Sequence, residues 1–254
     1  MANANYIEGK RPIIEAFRAE MPMRRIFMAD NIQQDSQVKD IQRKARQNGV
    51  EVKLVSRKQL DEMSERGSHQ GLIAEAMPFG YATLRDITDA AALASAENNG
   101  AALVVVLDHI TDSGNLGAIA RSAEIVGASG LIIPNKRSAS VTAATYKSSA
   151  GAINHIKIGR VANIVQTLEL LKKEGFWVCG STEKAQQVVW DAPLHGKIAL
   201  VMGNENDGLA DLTMRSCDFF AKLPQVGSVG SLNVAQAATA MMYEWMRQCA
   251  EKAK

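Results

Sequence analysis

The amino-acid sequence predicts an α/β protein: a small α/β unit over residues 1–80 and a larger, mostly parallel α/β unit over residues 101–254. Three observations carry this expectation. The apolar run AALVVVL at 101–107 is nearly continuous, as in a strand buried on both faces. Beyond it, strand-like apolar runs alternate with amphipathic segments that stop at glycine. Between the units the character changes: Pro78, Phe79, Gly80 and Tyr81 form a break, followed by an alanine-rich stretch ending at Asn98-Asn99-Gly100. The boundary therefore falls near residue 80, and residues 81–100 read as a linker leading into a short helix.

In the first unit, Pro12 begins an apolar-periodic stretch with Ile13, Ile14 and Phe17, which suits a helix with proline in its opening turn. Residues 25–29 read as a short strand. Residues 35–48 are polar and helical, with Gly49 as the stop. Residues 50–55 alternate apolar and polar as a half-buried strand does. Ser56 followed by Gln59 is a capping-box signature for a short helix, and residues 70–76 close the unit as a strand. In the second unit, the strand at 101–107 is followed by a helix over 115–127 stopped by Gly127, then a short strand at 131–133. Residues 161–174 form an amphipathic helix with Ile164, Val165, Leu168 and Leu171 on one face. Residues 176–180, 197–202 and 219–223 are further strands, and a long helix spans about 232–251.

Composition narrows the function classes. The chain has 254 residues, 46% hydrophobic and 22% charged, enough to bury a sizeable core. The longest apolar run is too short to span a bilayer, and the opening MANANYIEGK has no apolar signal core, so no membrane partner is expected. Cys179, Cys217 and Cys249 are far apart and odd in number, which argues against a disulfide framework and fits a reducing cytoplasm. His69, His109, His155 and His195 show no metal-ligand spacing, so no metal is expected. The 29 basic and 27 acidic residues leave a net charge of +2, which does not by itself announce a nucleic-acid binder. Lys10-Arg11, Arg24-Arg25 and Lys136-Arg137 are candidates for a local basic surface, against the plainer reading of solvated charged faces.

Three loops of the second unit are rich in Gly, Asn, Ser and acidic residues, and each follows a predicted strand: 108–117, 202–209 and 223–233. Ligands of α/β sheets gather at the carboxyl ends of strands, so the spacing suggests a small-molecule site without naming the ligand. The G-x-G-x-x-G of a dinucleotide fold, a Walker A loop and a G-x-S-x-G elbow are all missing. That counts against a nucleotide-dependent oxidoreductase.

The segment DHITDSGNLGAIARSAEIVGA resembles motif 1 of the SPOUT RNA methyltransferases, in the TrmH and RlmB branch. VMGNENDGL resembles their motif 2 and LPQVGSVGSLNVAQAA their motif 3, in family order and spacing. YIEGKRPIIEAF and HQGLIA resemble the small substrate-binding domain of the rRNA guanosine 2′-O-methyltransferase subgroup, so the likeness covers nearly the whole chain. Asn204 and Asn206 stand where motif 2 commonly has a small residue and glycine, and Gly230 and Ala235 stand where motif 3 commonly has serine. Ser113 lies where motif 1 often has a nearby proline.

The resemblance implies a trefoil-knotted C-terminal domain, which periodicity alone would not suggest. It implies S-adenosylmethionine held in the knotted loops, largely by backbone groups, at Gly203, Leu223 and Leu232, with Thr182, Met202 and Asn204 beside them. The implied reaction is methyl transfer to a ribose 2′-hydroxyl of RNA, with a guanosine of 23S rRNA as substrate. A tRNA target and a noncatalytic RNA-binding or ribosome-assembly role are the alternatives. Arg121 matches the motif 1 arginine, as a base or as a group that grips phosphate and stabilises alkoxide charge. Asn115 would orient Arg121 or the ribose, or cap its helix; Glu205 would orient Arg121 or neighbouring loop groups. Ser231 and Asn233 would shape the third loop or cap the last helix. The first unit would hold structured RNA, with a spacer or dimerisation module as the plainer alternative. The family implies a homodimer, to which Met241, Met242 and Trp245 would contribute unless they fill the chain's own core.

Overall fold

The computed structural model describes residues 6–64, 67–205, 207–228 and 230–252; Asn206, named above, and Val229 of the third loop lie outside them. The chain divides into two compact units, Met1–Gly80 with Thr142–Lys147, and Tyr81–Val141 with Ser148–Lys254.

The first unit is a four-stranded sheet with helices. Its strands are β1 (Tyr6–Glu8), β2 (Met23–Ala29), β3 (Glu51–Val55) and β4 (Leu72–Ala76), in the spatial order β1-β4-β2-β3. Its helices are α1 (Lys10–Arg18), α2 (Ser36–Gln47) and α3 (Arg57–Met63). Ile13, Ile26, Ile41, Leu60 and Ile73 are fully buried and tie helices to sheet. The capping box is present: the Ser56 hydroxyl accepts from the Gln59 N–H at 3.3 Å, and the Gln59 side chain accepts from the Ser56 N–H at 3.0 Å. Asp35 caps α2 by accepting from the Val38 N–H at 2.9 Å. β3 departs from the half-buried expectation. It is an edge strand paired only with β2, and none of its residues is buried. β1 escaped the sequence because three residues are too few to show a period.

The second unit is a six-stranded, all-parallel sheet in the order β10-β8-β9-β5-β6-β7. Its strands are β5 (Ala102–Asp108), β6 (Gly130–Pro134), β7 (Ile158–Val161), β8 (Trp177–Ser181), β9 (Lys197–Gly203) and β10 (Phe219–Ala221). The helices are α4 (Leu84–Glu97), α5 (Ser113–Ile125), α6 (Ala143–Ser149, shared with the first unit), α7 (Ile164–Lys173), α8 (Asp211–Arg215) and α9 (Val234–Lys252). Every residue of β5 is buried, as its unbroken apolar run requires.

The linker expected at 81–100 is instead part of this unit. Thr83 and Asp86 form a capping box, and α4 runs for 14 residues with Ile87 and Ala91 buried. A Cβ at Gly159 would lie 2.8 Å from the Ile87 Cδ1, and one at Gly130 3.0 Å from its Cγ1, so two strand glycines admit this one side chain. An alanine-rich helix with one large apolar anchor has a weak period, which is why the sequence shows only a short helix at the end of a linker. α7 starts at Ile164 rather than 161 because Val161 ends β7 and Asn163 caps the helix, accepting from the Gln166 N–H at 3.1 Å. Met241, Met242 and Trp245 of α9 are buried within the chain, and the Trp245 indole donates to the Gly196 carbonyl at 3.0 Å. These three residues belong to the intrachain core.

Candidate functional site

Parallel pairing brings the carboxyl ends of four strands into line. Ala221 of β10 lies beside Ser181 of β8, Ser181 beside Met202 of β9, and Gly203 beside Asp108 of β5. Beyond these ends a cavity of about 410 Å³ opens, bounded by residues that follow β8, β9 and β10. Met202, Leu209, Leu223, Leu232 and Val234 give it apolar walls; Glu183, Glu205, Asp207 and Asp211 give it an acidic rim, with Lys184 as a cation. A pocket of this size and lining suits a ligand with an apolar body and cationic groups.

Five of the six positions named for the cofactor border this cavity: Thr182, Met202, Asn204, Leu223 and Leu232. Gly203 does not, and its part is steric. A Cβ there would lie 2.3 Å from the Gly208 carbonyl carbon and 2.5 Å from the Leu209 nitrogen. The second loop folds back over Gly203, closed by reciprocal bonds between Asn204 and Gly208, N–H to C=O at 2.9 Å each way. Only glycine permits that backbone approach.

A polar network joins the three loops. The Asn233 side chain donates to the Asn115 Oδ1 at 3.0 Å, and the Asn115 Nδ2 donates to the Glu205 carboxylate. Both asparagines are tied to helix starts. Asp112 caps α5 by accepting from the Asn115 N–H at 2.6 Å, and the Asn233 Oδ1 accepts from the Ala235 N–H at 2.9 Å. For Asn233, capping and linking the loops are therefore one geometry. Ser231 is exposed on the cavity rim.

Arg121 lies elsewhere. It is exposed on α5 and, among the described residues, has no hydrogen bond or ion pair. Of the two readings of Glu205, orienting Arg121 or orienting neighbouring loop groups, the carboxylate here bonds Asn115 of the first loop. Six helical residues set Asn115 and Arg121 about 120° apart around the axis and about 9 Å along it.

Two residues that received no role in the sequence support the loops. Asp108 is 1% exposed; its carboxylate accepts from the Ala210 N–H at 2.8 Å and lies 2.5 Å from the His109 Nδ1. His109 has a left-handed backbone (φ 61°), and its carbonyl accepts from the Asn204 side chain at 2.8 Å. A buried carboxylate spent on a backbone N–H and a ring nitrogen fixes the first loop against the second. The usable signal was a charged residue closing a wholly apolar strand. Lys184 and Glu183 were missed because the loop after β8 lacks the glycine and asparagine that marked the other three.

Among the described residues, no group of three or more His, Cys, Asp or Glu side chains could hold a metal ion, and no helix is long and apolar enough to cross a membrane. Burial holds the Cys179 thiol well above its ordinary range and pushes the Cys217 thiol up to about 12, so neither is a nucleophile for this site.

Comparison with known proteins fits this architecture. Residues 102–243 match the SpoU rRNA Methylase family, and residues 6–82 match the RNA 2′-O ribose methyltransferase substrate-binding family. The TrmH-family protein YacO of Bacillus subtilis is 37% identical over 244 residues, covering 96% of either chain. AviRb of Streptomyces viridochromogenes, a SpoU methyltransferase crystallised with AdoMet, superposes with a TM-score of 0.69 at 26% identity, over 97% of this chain and 91% of its own. An AdoMet-bound rRNA methyltransferase of Sinorhizobium meliloti superposes with a TM-score of 0.66 at 26% identity, over 96% and 87%. The three loops, the parallel sheet that aligns them and the separate N-terminal unit are thus parts of one known plan, and the chain belongs to the SpoU (TrmH-type) family of RNA methyltransferases.

Proposed function

We propose that the protein transfers the methyl group of S-adenosylmethionine to a ribose 2′-hydroxyl of RNA, with a guanosine of 23S rRNA as the substrate. The observation that carries this reading is the joining of a cavity at the strand ends to a fixed Asn233–Asn115–Glu205 chain, with an unpaired arginine on the same helix. The cavity fits the cofactor chemically: carboxylates of Glu183, Glu205, Asp207 and Asp211 suit its sulfonium and ammonium charges, and Lys184 suits its carboxylate. Thr182, Met202, Asn204, Leu223 and Leu232 would line it. When bound, the cofactor supplies an already activated methyl group.

The protein's task is then to hold a weakly acidic hydroxyl in line and to stabilise the charge it develops. Arg121 is assigned the second role together with a grip on the adjacent phosphate. Guanidinium stays protonated in proteins, so it acts as a cation and not as a base. Asn115, held on both sides, presents a fixed carboxamide beside the cavity, and Ser231 offers a hydroxyl at its rim. The first unit serves as the RNA-holding module, supported by the substrate-binding family match over residues 6–82. Trefoil threading, a cytoplasmic location and a homodimer belong to the same reading. For the dimer, exposed Ile125 of α5 and Tyr243 and Met246 of α9 supply apolar surface.

The test is transfer of labelled methyl from S-adenosylmethionine to protein-free 23S rRNA and to tRNA, followed by mapping of the modified ribose. Label on a 23S guanosine, abolished by Arg121→Ala, is the expected result. Label in tRNA keeps the chemistry and replaces the substrate; relatives named as tRNA/rRNA methyltransferases keep that arm necessary. No transfer to either RNA, with no cofactor binding by calorimetry, supports a noncatalytic RNA-binding role instead. A single species of monomer mass in sedimentation would refute the dimer.

A further inference from the structure

We propose that Arg160 binds a backbone phosphate of the substrate RNA, and that Lys136 and Arg137 extend this phosphate track along the ends of β6 and β7. The inference rests on the methyltransferase reading and assigns part of its substrate path.

Arg160 sits in β7 with its guanidinium carbon 4.1 Å from the centroid of the Tyr81 ring. Its Nη2 donates to the Ser140 hydroxyl at 2.5 Å, and its buried Nε has no hydrogen-bond partner. Among the described residues no carboxylate pairs with Arg160, Lys136 or Arg137. A half-buried guanidinium without an anion is costly to maintain for structure alone, where a carboxylate or an apolar residue would serve. Here the cation is instead aimed. Stacking fixes the plane of its fork; the Nε–H is buried, and of the four N–H donors on its two Nη atoms one is committed to Ser140. A planar fork with free donors matches a phosphate.

The platform is itself built. Tyr81 is held beside β7 by the Ala82 N–H, which donates to the Ile158 carbonyl at 2.8 Å, and its hydroxyl accepts from the Val141 N–H at 3.0 Å. The loop after β6 is pinned at both ends: the Asn135 N–H donates to the Val161 carbonyl and the Ala139 N–H to the Ile110 carbonyl, both at 2.8 Å. Lys136 and Arg137 are exposed between these anchors, Arg137 in a left-handed conformation (φ 52°). Ser140 then links the platform to the reaction site, because its carbonyl accepts from the Ser113 hydroxyl at 3.2 Å in the first turn of α5. The carboxyl edge of the sheet is thus divided. The cavity lies over β10, β8 and β9, the unpaired cations lie over β6 and β7, and α5 with Asn115 and Arg121 starts between them. An RNA strand that presents its ribose at α5 would lay a neighbouring phosphate on Arg160.

The test compares wild type with Arg160→Gln, Arg160→Lys and the double variant Lys136→Gln/Arg137→Gln. It measures methyl transfer to 23S rRNA and tRNA, RNA binding across a salt series, and cofactor binding by calorimetry. Arg160→Gln is expected to raise KM for RNA about tenfold with kcat within about threefold and cofactor affinity unchanged. Its plot of log K against log salt should flatten by about 0.7–0.9, the release expected for one phosphate. Arg160→Lys should restore the salt slope but only part of the KM, since it keeps the charge and loses the stacked fork. The double variant touches only exposed side chains, so it remains informative if Arg160→Gln melts early; its slope should flatten by more than one unit. Wild-type KM and slope in a folded Arg160→Gln variant, or an unchanged slope in the double variant, would overturn the proposal. A wild type that binds the cofactor but neither RNA overturns the substrate reading along with it. A wild type that methylates RNA no better than variants with equal KM overturns this proposal alone.

Discussion

Replacing Gly203 by alanine tests the geometry that holds the second loop. The added Cβ would meet the Gly208 carbonyl carbon at 2.3 Å, the Leu209 nitrogen at 2.5 Å and the Gly208 oxygen at 2.6 Å. Carbon contacts settle near 3.5–4.0 Å, so the 208–209 backbone must retreat by about 1 Å. All three neighbours are main-chain atoms, so no side chain can rotate out of the way. The retreat pulls on both Asn204–Gly208 hydrogen bonds and shifts Leu209, which is 5% exposed and forms a cavity wall. Overpacking of this kind costs about 1–3 kcal/mol. At roughly 2–4 °C per kcal/mol for a chain of this size, the melting temperature should fall by about 2–12 °C. Cofactor affinity should fall about tenfold, which corresponds to about 1.4 kcal/mol lost at the cavity wall. Gly227→Ala is the control, because a Cβ there meets nothing within 4 Å and should change stability by less than about 0.5 kcal/mol. Scanning fluorimetry and calorimetry with S-adenosylmethionine read both quantities. A Gly203→Ala protein that melts with the control and binds the cofactor as wild type does would refute the claim that loop closure needs glycine.

Arg121→Ala should leave the melting temperature within about 1 °C, as for other exposed, unpartnered side chains, while kcat falls at least about 100-fold; a large stability loss would show that the residue is structural. Asp108→Ala strips the Ala210 N–H and the His109 ring of their acceptor, so urea unfolding should show a loss of about 1.5–3 kcal/mol together with weaker cofactor binding. Burial first, and then the nearby Lys252, hold the His195 pKa below its usual 6.5. The unfolded chain therefore binds the proton more readily, and stability is retained above about pH 6.5 and lost as pH falls from there through the folded value. Urea midpoints at pH 7.5 and 5.5 should differ more in wild type than in His195→Gln; an equal difference would remove His195 from the account.

Much of this was legible in the residues, and the reasons are local. The capping box at Ser56 and Gln59, the glycine stop at Gly127 and the buried run of β5 follow from spacing alone, and each is present. Some short elements were not legible: β1 has three residues, β7 four and α8 five, and none carries the apolar run that marks the equally short β6 and β10. α4 shows in the sequence only as a short helix after a linker, because its burial rests on Ile87 and on two distant glycines, a tertiary fit that no local window contains. The same holds at the site. The three glycine- and asparagine-rich loops announce themselves, yet the bonding of Asn115 to Asn233 and Glu205 spans 118 and 90 residues of sequence. Asp108 and Arg160 carry no motif. Their roles come from what the sheet sets beside them.

The contrast between Asn115 and Arg121 bears on where the reaction barrier is met. Asn115 is held by Asn233 on one side and Glu205 on the other, while its N–H is fixed to Asp112. Polar groups fixed in this way need no reorganisation when charge develops nearby, which is the condition for strong electrostatic stabilisation. Arg121 is the opposite case, a long, exposed side chain with no partner among the described residues. A cation of that kind loses rotamer freedom when it closes on an anion, so its grip is won only if the substrate brings the charge. On the proposed reading, the cavity and the Asn115 network serve the cofactor and the reacting hydroxyl, whereas the arginine serves the RNA. Cofactor binding should then be nearly independent of Arg121. Calorimetry should give Arg121→Ala an affinity for S-adenosylmethionine within about twofold of wild type, and a tenfold loss would show that the arginine already belongs to the cofactor's own pocket.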